Sequence, residues 1–168
     1  MTNDFFRDRH VLVVGGSSGI GAGIGAAFRD QGAAVTVTGA TSAEVERARA
    51  DPALAGVAVV QLDVRSDAAV AETITALARL DVLVNCAGVI RRGEEHDPTV
   101  FAQVLDINLN GSMRTCAAAR PLLKSTGGCI INTASMLSFF GGGLVPAYSA
   151  SKGGVAQMTK SLAIAYAA

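Results

Sequence analysis

Short runs of consecutive apolar residues alternate along the chain with longer, Ala-rich segments whose apolar positions recur at helical spacing. Nearly continuous apolar runs of this length are typical of parallel strands that are covered on both faces. The runs are residues 11–14, 34–38, 57–61, 82–85 and 129–133. Strands that alternate with helices favour right-handed crossover connections. We therefore predict an α/β fold, a doubly wound, Rossmann-like parallel sheet of five strands in the order 3-2-1-4-5.

Helix start signals lie between the predicted strands. The predicted helices begin after Ser18 and at Thr41, Ser66 and Asp97. Glu44 follows Thr41 at the spacing of a capping box, and Pro98 stands in the first turn after Asp97. A last helix carries Tyr148 and Lys152. Residues 141–143 are all Gly and predict a mobile loop ahead of that helix.

Composition limits the domain count and the classes of partner. A chain of 168 residues with 50% hydrophobic content and no repeat or linker predicts one domain spanning 1–168. Fourteen basic residues balance fourteen acidic ones, so we expect no nucleic acid and no membrane surface as a partner. Residues 1–10 do not resemble a secretory signal and no stretch is long and apolar enough to span a bilayer, which predicts a cytoplasmic location.

Cysteine and histidine residues give no sign of a metal site. The three cysteines are Cys86, Cys116 and Cys129. They are odd in number and lack the spacing of a disulfide framework or a zinc site, so we predict three small buried hydrophobic residues. His10 and His96 are isolated in the sequence and are predicted to lie unpaired at the surface.

A glycine-rich turn directly follows the first predicted strand and opens the first predicted helix. Its spaced glycines let a backbone approach a pyrophosphate at the positive end of a helix. The candidate cofactor contacts in this turn are Gly15, Ser17, Ser18, Gly19, Ile20 and Gly21. Two alternatives stay open on the turn alone: a strand-to-helix turn with small residues for packing, and a loop that binds another adenosine compound such as a methyl donor.

Tyr148 and Lys152 are spaced by one helical turn, and Ser135 precedes Tyr148 by thirteen residues. A Tyr-x-x-x-Lys pair alone is common on helices, where it is usually a solvated or packing contact. Together with a dinucleotide turn in the same chain, it indicates a site for carbonyl reduction or alcohol oxidation.

Five motifs resemble, in order and spacing, those of the short-chain dehydrogenase/reductase family. They are Gly15-x-x-x-Gly19-Ile20-Gly21, Asn85-Cys86-Ala87-Gly88, Asn108 within Ile107-Asn108-Leu109-Asn110-Gly111, Ser135, and Tyr148-x-x-x-Lys152. The resemblance covers essentially the whole chain. Val14 and Cys86 depart from it, since the family often has Thr and Asn at these positions.

The resemblance implies an NAD(P)-dependent oxidoreductase that interconverts a secondary alcohol and a ketone, with Tyr148 as the acid/base. It implies that Lys152 lowers the pKa of Tyr148 and holds the nicotinamide ribose, and that Ser135 polarises the substrate oxygen. Asn108 would anchor a water molecule for proton relay. From its residue type, Asn108 is also consistent with a buried amide that satisfies backbone groups in a kinked helix, and both interpretations can hold.

Further cofactor contacts are implied by the same resemblance. Asp63 would contact the adenine amine and Val64 would line that pocket, although Asp63 is also consistent with a helix-capping carboxylate. Asn85, Ala87 and Gly88 would support the central strand and contact the cofactor ribose, or form a tight turn at the end of a strand.

The end of the second predicted strand bears on the choice between NAD and NADP. An acidic residue there accepts from the ribose 2′-hydroxyl, and a basic one pairs with a 2′-phosphate. Residues 38–42, beginning at Thr38, offer only hydroxyls and a helix N-terminus, which tolerate a phosphate. The sequence therefore favours NADP, with Thr38 as a candidate contact.

Arg91 and Arg92 stand beside the expected mouth of the site, and arginine is suited to planar recognition of a carboxylate. This motif resembles the sugar-acid dehydrogenases of the family, so a sugar acid or polyol is the expected small-molecule substrate. The alternative is a solvated pair near Glu94 and Glu95.

Family members usually continue well beyond the Tyr-x-x-x-Lys helix, whereas this sequence stops inside it. We therefore expect a chain truncated within that helix, whose last strand is left as an exposed edge. The alternative function is a catalytically inactive NAD(P)-binding fragment or a regulatory protein. Relatives commonly pair their last two long helices, which predicts a homo-oligomer, either a dimer or a tetramer.

Overall fold

Five parallel strands form one sheet in the computed structural model, which describes residues 4–167. The strands are β1 (His10–Val14), β2 (Ala34–Gly39), β3 (Ala58–Gln61), β4 (Val82–Asn85) and β5 (Cys129–Asn132). Their order is β3-β2-β1-β4-β5, so the predicted fold class and strand order are confirmed. Each strand ends within one residue of its predicted limits.

Helices connect the strands on both faces of the sheet. They are α1 (Gly19–Asp30), α2 (Ser42–Ala50), α3 (Asp67–Thr75), α4 (Pro98–Leu105), α5 (Gly111–Thr126) and α6 (Pro146–Tyr166). A π-helical turn, Asp106–Asn110, joins α4 to α5. The predicted helix starts are confirmed, because Ser18, Thr41, Ser66 and Asp97 are the N-caps of α1 to α4. The capping box between Thr41 and Glu44 is also present.

Strand β1 shows why the central strands are almost continuously apolar. Val11 and Val13 pack into a core cluster with residues of α1 and α2, while Leu12 and Val14 pack into a second cluster with α3 and α5. Residues 11–14 of β1 are therefore buried whichever way their side chains point. The register pairs Val14 with Asn85, which aligns the carboxyl ends of β1 and β4 at one edge of the sheet. Loops that follow these strands meet at that edge.

Strand β5 is one of the two outer strands of the sheet and is only partly covered. Cys129 is exposed and Ile131 is 46% exposed. The prediction of three buried cysteines is therefore wrong for Cys129, since β5 has a neighbour on one side only within residues 4–167. Cys116 is buried in α5 and Cys86 is half-buried.

His10 is not the unpaired surface residue that the sequence predicted. It begins β1, is half-buried, and its Nε2 atom lies 2.9 Å from Thr36 Oγ1 on the neighbouring strand. Burial lowers the pKa of His10 from its ordinary value. Its backbone N–H donates to the buried carboxylate of Asp81, which also accepts from Arg79. Among the described residues, no helix has the length and apolar character needed to cross a membrane.

Candidate active site

The glycine-rich turn is packed against the loop that follows β4. Gly15 has a φ of 78°, and a Cβ atom there would lie 2.4 Å from the Ala87 nitrogen. Only glycine meets both conditions. The Gly15 N–H donates to Thr38 Oγ1 (3.0 Å), and the Ser17 N–H donates to the Thr38 carbonyl (3.1 Å). The buried Thr38 side chain, a predicted cofactor contact, therefore holds the turn in place.

One side of the turn is open. Gly19 faces free space, since a Cβ atom there would meet no atom within 4 Å. Ser18 is exposed, and Ile20 is 74% exposed at the start of α1. Gly21 lies on the packed side, where a Cβ atom would be 2.3 Å from the Gly15 carbonyl oxygen. The turn therefore fits a pyrophosphate at the positive end of α1 and exposes an apolar side chain that a bound dinucleotide can cover.

Asp63 and Val64 lie beyond β3. Asp63 accepts from the backbone N–H of Arg65 (3.0 Å) and forms an ion pair with its guanidinium (2.6 Å). The hydrogen bond from the Arg65 side chain is the main cause of the lowered pKa of Asp63. Asp63 is not a helix cap, because the cap of α3 is Ser66, whose hydroxyl accepts from the Ala69 N–H (3.2 Å). Val64 is buried.

The loop after β2 is in contact with a negative charge, the carboxylate of Glu44 in α2. Glu44 Oε2 accepts from the N–H groups of Ala40 (2.6 Å) and Thr41 (3.2 Å). Glu44 Cβ also lies 3.0 Å from the position of a Cβ atom on Gly39, and Ser17 Cβ lies 3.1 Å from it. The expectation of a loop with hydroxyls alone is therefore wrong, because the capping box folds the Glu44 carboxylate back onto the N–H groups of Ala40 and Thr41.

Asn85, at the end of β4, is buried and links three elements. Its Nδ2 donates to Asn132 Oδ1 on β5 (2.9 Å), and its Oδ1 accepts from Thr115 Oγ1 on α5 (2.7 Å). These contacts correspond to the predicted support of the central strand. Gly88 follows in the next loop, and a Cβ atom there would lie 3.3 Å from Asn108 Oδ1 and 3.8 Å from Lys152 Nζ.

Asn108 lies in the π-helical turn and is fully buried. Its Oδ1 accepts from the Val89 N–H (2.8 Å), and its Nδ2 donates to the Val89 carbonyl (2.9 Å) and to Ser151 Oγ (3.0 Å). The side chain thus satisfies backbone groups of the loop after β4 and connects that loop to α6. The structural interpretation of Asn108 is confirmed by these contacts, and the water relay stays a prediction.

Tyr148 and Lys152 face the same space from the first two turns of α6. Lys152 is only 5% exposed, and its Nζ atom donates to the Thr133 carbonyl (2.7 Å). Nζ lies 5.8 Å from the centroid of the half-buried Tyr148 ring. Desolvation by burial lowers the pKa of Lys152. Its charge therefore lies beside the phenol in a poorly hydrated position.

Ser135 is connected to the same helix by a hydroxyl that sequence reasoning missed. The Ser135 N–H donates to Ser138 Oγ (3.2 Å), and Ser138 Oγ donates to the Lys152 carbonyl (2.8 Å). Ser135 Oγ accepts from the Leu137 N–H (3.2 Å). The only sequence signal for Ser138 was its position three residues after Ser135, the spacing of a capping box.

Arg91 and Arg92 are exposed in the loop between β4 and α4. Neither guanidinium forms an ion pair within residues 4–167. Glu94 is exposed, but Glu95 is buried and its Oε1 accepts from the Arg91 N–H (2.8 Å). The exposure of Arg91 and Arg92 is consistent with the alternative of a solvated pair near Glu94 and Glu95, although Glu95 itself is buried. No sequence pattern distinguished Glu95 from its exposed neighbour.

A family model described as short chain dehydrogenase matches residues 9–168. The chain belongs to this family. It is 38% identical over 169 residues to 2-dehydro-3-deoxy-D-gluconate 5-dehydrogenase of Bacillus subtilis (strain 168), across 96% of this chain and 66% of that protein. It is 37% identical over 167 residues to L-fucose dehydrogenase of Bos taurus, across 95% of this chain and 61% of that protein.

The crystal structure of a protein designated gox2181 superposes with a TM-score of 0.88 at 29% identity, over 99% of this chain and 70% of that one. The chain thus spans 66% of the length of the Bacillus subtilis relative and 61% of the length of the Bos taurus relative. No cluster of His, Cys, Asp and Glu side chains in the described part of the chain could hold a metal ion.

The contacts of Asn108 predict a large effect on stability. Asn108→Ala leaves the N–H and carbonyl of the half-buried Val89 without partners, so the free energy of unfolding should fall by about 1–3 kcal/mol. Asn110→Ala is the matched control, because Asn110 is exposed in the same π-helical turn. Urea unfolding followed by circular dichroism measures both variants. Equal losses in the two variants would contradict the role of Asn108 as a buried clamp.

Proposed function

We propose that the protein is an NAD(P)-dependent oxidoreductase that interconverts a secondary alcohol and a ketone. The observation that carries the proposal is the buried Lys152 ammonium group, 5.8 Å from the Tyr148 ring. Burying an ammonium group is unfavourable, and a single carbonyl at 2.7 Å offsets only part of that cost. An ammonium group that is buried beside a phenol despite this unfavourable free energy indicates a functional role for the pair. Membership of the short chain dehydrogenase family supports the same reaction class.

Tyr148 is the proposed acid and base. The positive charge of Lys152 lies near the Tyr148 ring, where it can stabilise negative charge on the phenol oxygen while a proton is transferred. Tyr148 can then donate its proton to a carbonyl oxygen during reduction and accept one from an alcohol during oxidation.

Ser135 is the proposed donor to the substrate oxygen. Its Oγ already accepts from the Leu137 N–H, which uses a lone pair and leaves the hydroxyl hydrogen available. A hydroxyl fixed in this way can stabilise negative charge that develops on oxygen. A bound nicotinamide would supply or accept the hydride. The two hydrogen bonds of Ser138 fix the position of Ser135 relative to α6.

The open face of the glycine-rich turn is the proposed pyrophosphate site, with Ser17, Ser18 and Gly19 as contacts and the exposed Ile20 as an apolar surface that the dinucleotide would cover. Lys152 has three N–H donors and uses one on Thr133, so two remain for the hydroxyls of a ribose. The adenine contact of Asp63 also stays a proposal. Cytoplasmic location and homo-oligomerisation remain predictions.

We further propose that the cofactor is NAD. The sequence-based preference for NADP assumed that the loop after β2 carries no negative charge. The position of the Glu44 carboxylate contradicts this assumption. Glu44 already accepts from the Ala40 and Thr41 N–H groups, which a 2′-phosphate would otherwise use. A second anion at the same amides would be repelled. A ribose 2′-hydroxyl can instead donate to the carboxylate.

The proposed substrate is a sugar acid. Arg91 and Arg92 lie exposed on the loop that leaves Gly88, and Gly88 is next to Lys152. Guanidinium groups in this position suit a carboxylate on the substrate. The relative from Bacillus subtilis is named for a deoxy keto sugar acid, which supports this class, and the relative from Bos taurus is named for a neutral sugar.

The role of Tyr148 is tested by removing its hydroxyl. Tyr148→Phe should lower kcat by about 100-fold or more, since general acid–base catalysis contributes on this scale. Its affinity for NADH, measured by fluorescence titration, should stay close to that of the wild type. The control is Tyr166→Phe, because the chain has two tyrosines and Tyr166 lies at the far end of α6 beside Arg120. Wild-type kcat in Tyr148→Phe would refute the mechanism.

The choice of cofactor is tested by Glu44→Gln, which keeps an oxygen for the Ala40 and Thr41 N–H groups and removes the charge. The wild type should bind NAD(H) more tightly than NADP(H), and the variant should reduce this preference by about tenfold, equivalent to roughly 1.4 kcal/mol. Glu46→Gln, on an exposed residue of the same helix, should leave the preference unchanged. An unaltered ratio of dissociation constants in Glu44→Gln would contradict the assignment.

The substrate class is tested by replacing both arginines of the mouth. Arg91→Ala and Arg92→Ala should raise KM for a keto sugar acid by about tenfold or more, since a hydrogen bond to a charged group contributes roughly 1.5–3 kcal/mol. KM for a neutral sugar alcohol should change little. Arg47→Ala, at an exposed position of α2, is the control. Equal effects on charged and neutral substrates would exclude carboxylate recognition by these residues.

A further inference from the structure

Glu95 is a buried carboxylate at the junction of two segments that flank the proposed site. It is 1% exposed, and each of its oxygens accepts one backbone N–H. Oε1 accepts from Arg91 (2.8 Å) and Oε2 accepts from Tyr148 (2.7 Å). Within residues 4–167 it forms no ion pair, unlike the buried Asp81, which is paired with Arg79. Two amides therefore stabilise this charge.

Helix α6 needs such a partner because its own sequence provides no cap. Its N-cap residue is the apolar Val145, which makes no side-chain hydrogen bond, and Pro146 has no N–H to donate. The Tyr148 N–H lies in the first turn, where no carbonyl of the helix can accept it. Glu95 accepts this N–H from a segment 53 residues earlier in the chain and places negative charge at the positive end of the helix.

The same two segments touch at two flanking points. The Gly93 N–H donates to the Leu144 carbonyl (2.8 Å), and His96 Nε2 lies 2.9 Å from the Gly143 carbonyl oxygen. Glu95 is the buried centre of this junction. Because an unpartnered buried charge is costly, the carboxylate holds the Arg91 and Tyr148 backbones at a fixed separation.

We propose that Glu95 is a positioning residue that sets Tyr148 in its reacting position relative to the loop of Arg91 and Arg92. This inference rests on the proposed function, in which Tyr148 transfers the proton. Glu95 acts through the backbone nitrogen of Tyr148 and has no part in the glycine-rich turn, so turnover depends on it more than cofactor affinity does. A displacement of about 1 Å at a reacting group can cost about 100-fold in rate.

The test compares Glu95→Gln with Glu94→Gln, which makes the same chemical change at the exposed neighbour. In Glu95→Gln the amide nitrogen cannot accept, so one of the two backbone N–H groups loses its partner. We expect kcat to fall by about 10-fold to 100-fold, with NADH affinity close to that of the wild type. Hydrogen exchange should accelerate at the amides of Arg91 and Tyr148 and stay unchanged in β1 and α1. Glu94→Gln should match the wild type in every measurement.

Several outcomes would overturn the inference. One is wild-type kcat in folded Glu95→Gln, and another is a parallel loss of kcat, NADH affinity and protection throughout the fold, which indicates a structural role alone. If Glu95→Gln does not fold, Glu95→Asp keeps the charge with a shorter reach, and wild-type kcat in that variant counts against positioning. Wild-type protein that binds no NADH refutes the proposed function instead. Unchanged hydrogen exchange at the amides of Arg91 and Tyr148 would by itself refute the hydrogen-bonded bridge through Glu95.

Discussion

The burial of one ammonium group is the constraint on which the arrangement of the site depends. Lys152 is held by the carbonyl that follows β5, and its own carbonyl accepts from Ser138. Gly88 lies beside it in the loop after β4, where a Cβ atom would be 3.8 Å from the Lys152 Nζ atom. An ammonium group in such a place is stable only if the surrounding backbone is fixed. The rigidity of β4, β5 and α6 at this edge is therefore a requirement of the charge that they surround.

A second layer of polar contacts supplies that rigidity. Asn85 links β4 to β5 and α5, and Asn108 links the loop after β4 to α6. Both side chains are buried and use donor and acceptor atoms alike, so small displacements leave a buried polar group unpaired. The π-helical turn makes the contact of Asn108 possible. It brings Asn108 to the backbone of Val89 while α4 and α5 continue on either side.

The sheet and the helix starts could be predicted because their signals are local. All five strands appear as apolar runs, and the caps of α1 to α4 are Ser, Thr or Asp residues, the types that favour helix starts. Other features depend on tertiary placement. The Thr41 capping box was predicted, but its effect on the charge of the loop after β2 follows only from where the Glu44 carboxylate lies. Glu94 and Glu95 are chemically identical neighbours, and only the packing of α6 decides which one is buried.

A net charge of zero conceals an ordered arrangement of charge around the site. The Glu44 carboxylate lies at the loop after β2, and Lys152 lies at the ends of β4 and β5. The exposed Arg91 and Arg92 extend the positive region outward from Lys152, while the buried Glu95 accepts from two backbone N–H groups. Under the proposed function, this order repels a phosphate at the adenosine ribose and attracts an anionic substrate to the nicotinamide end. The specificity for cofactor and substrate would then arise from the separation of charges of opposite sign, which composition alone cannot reveal.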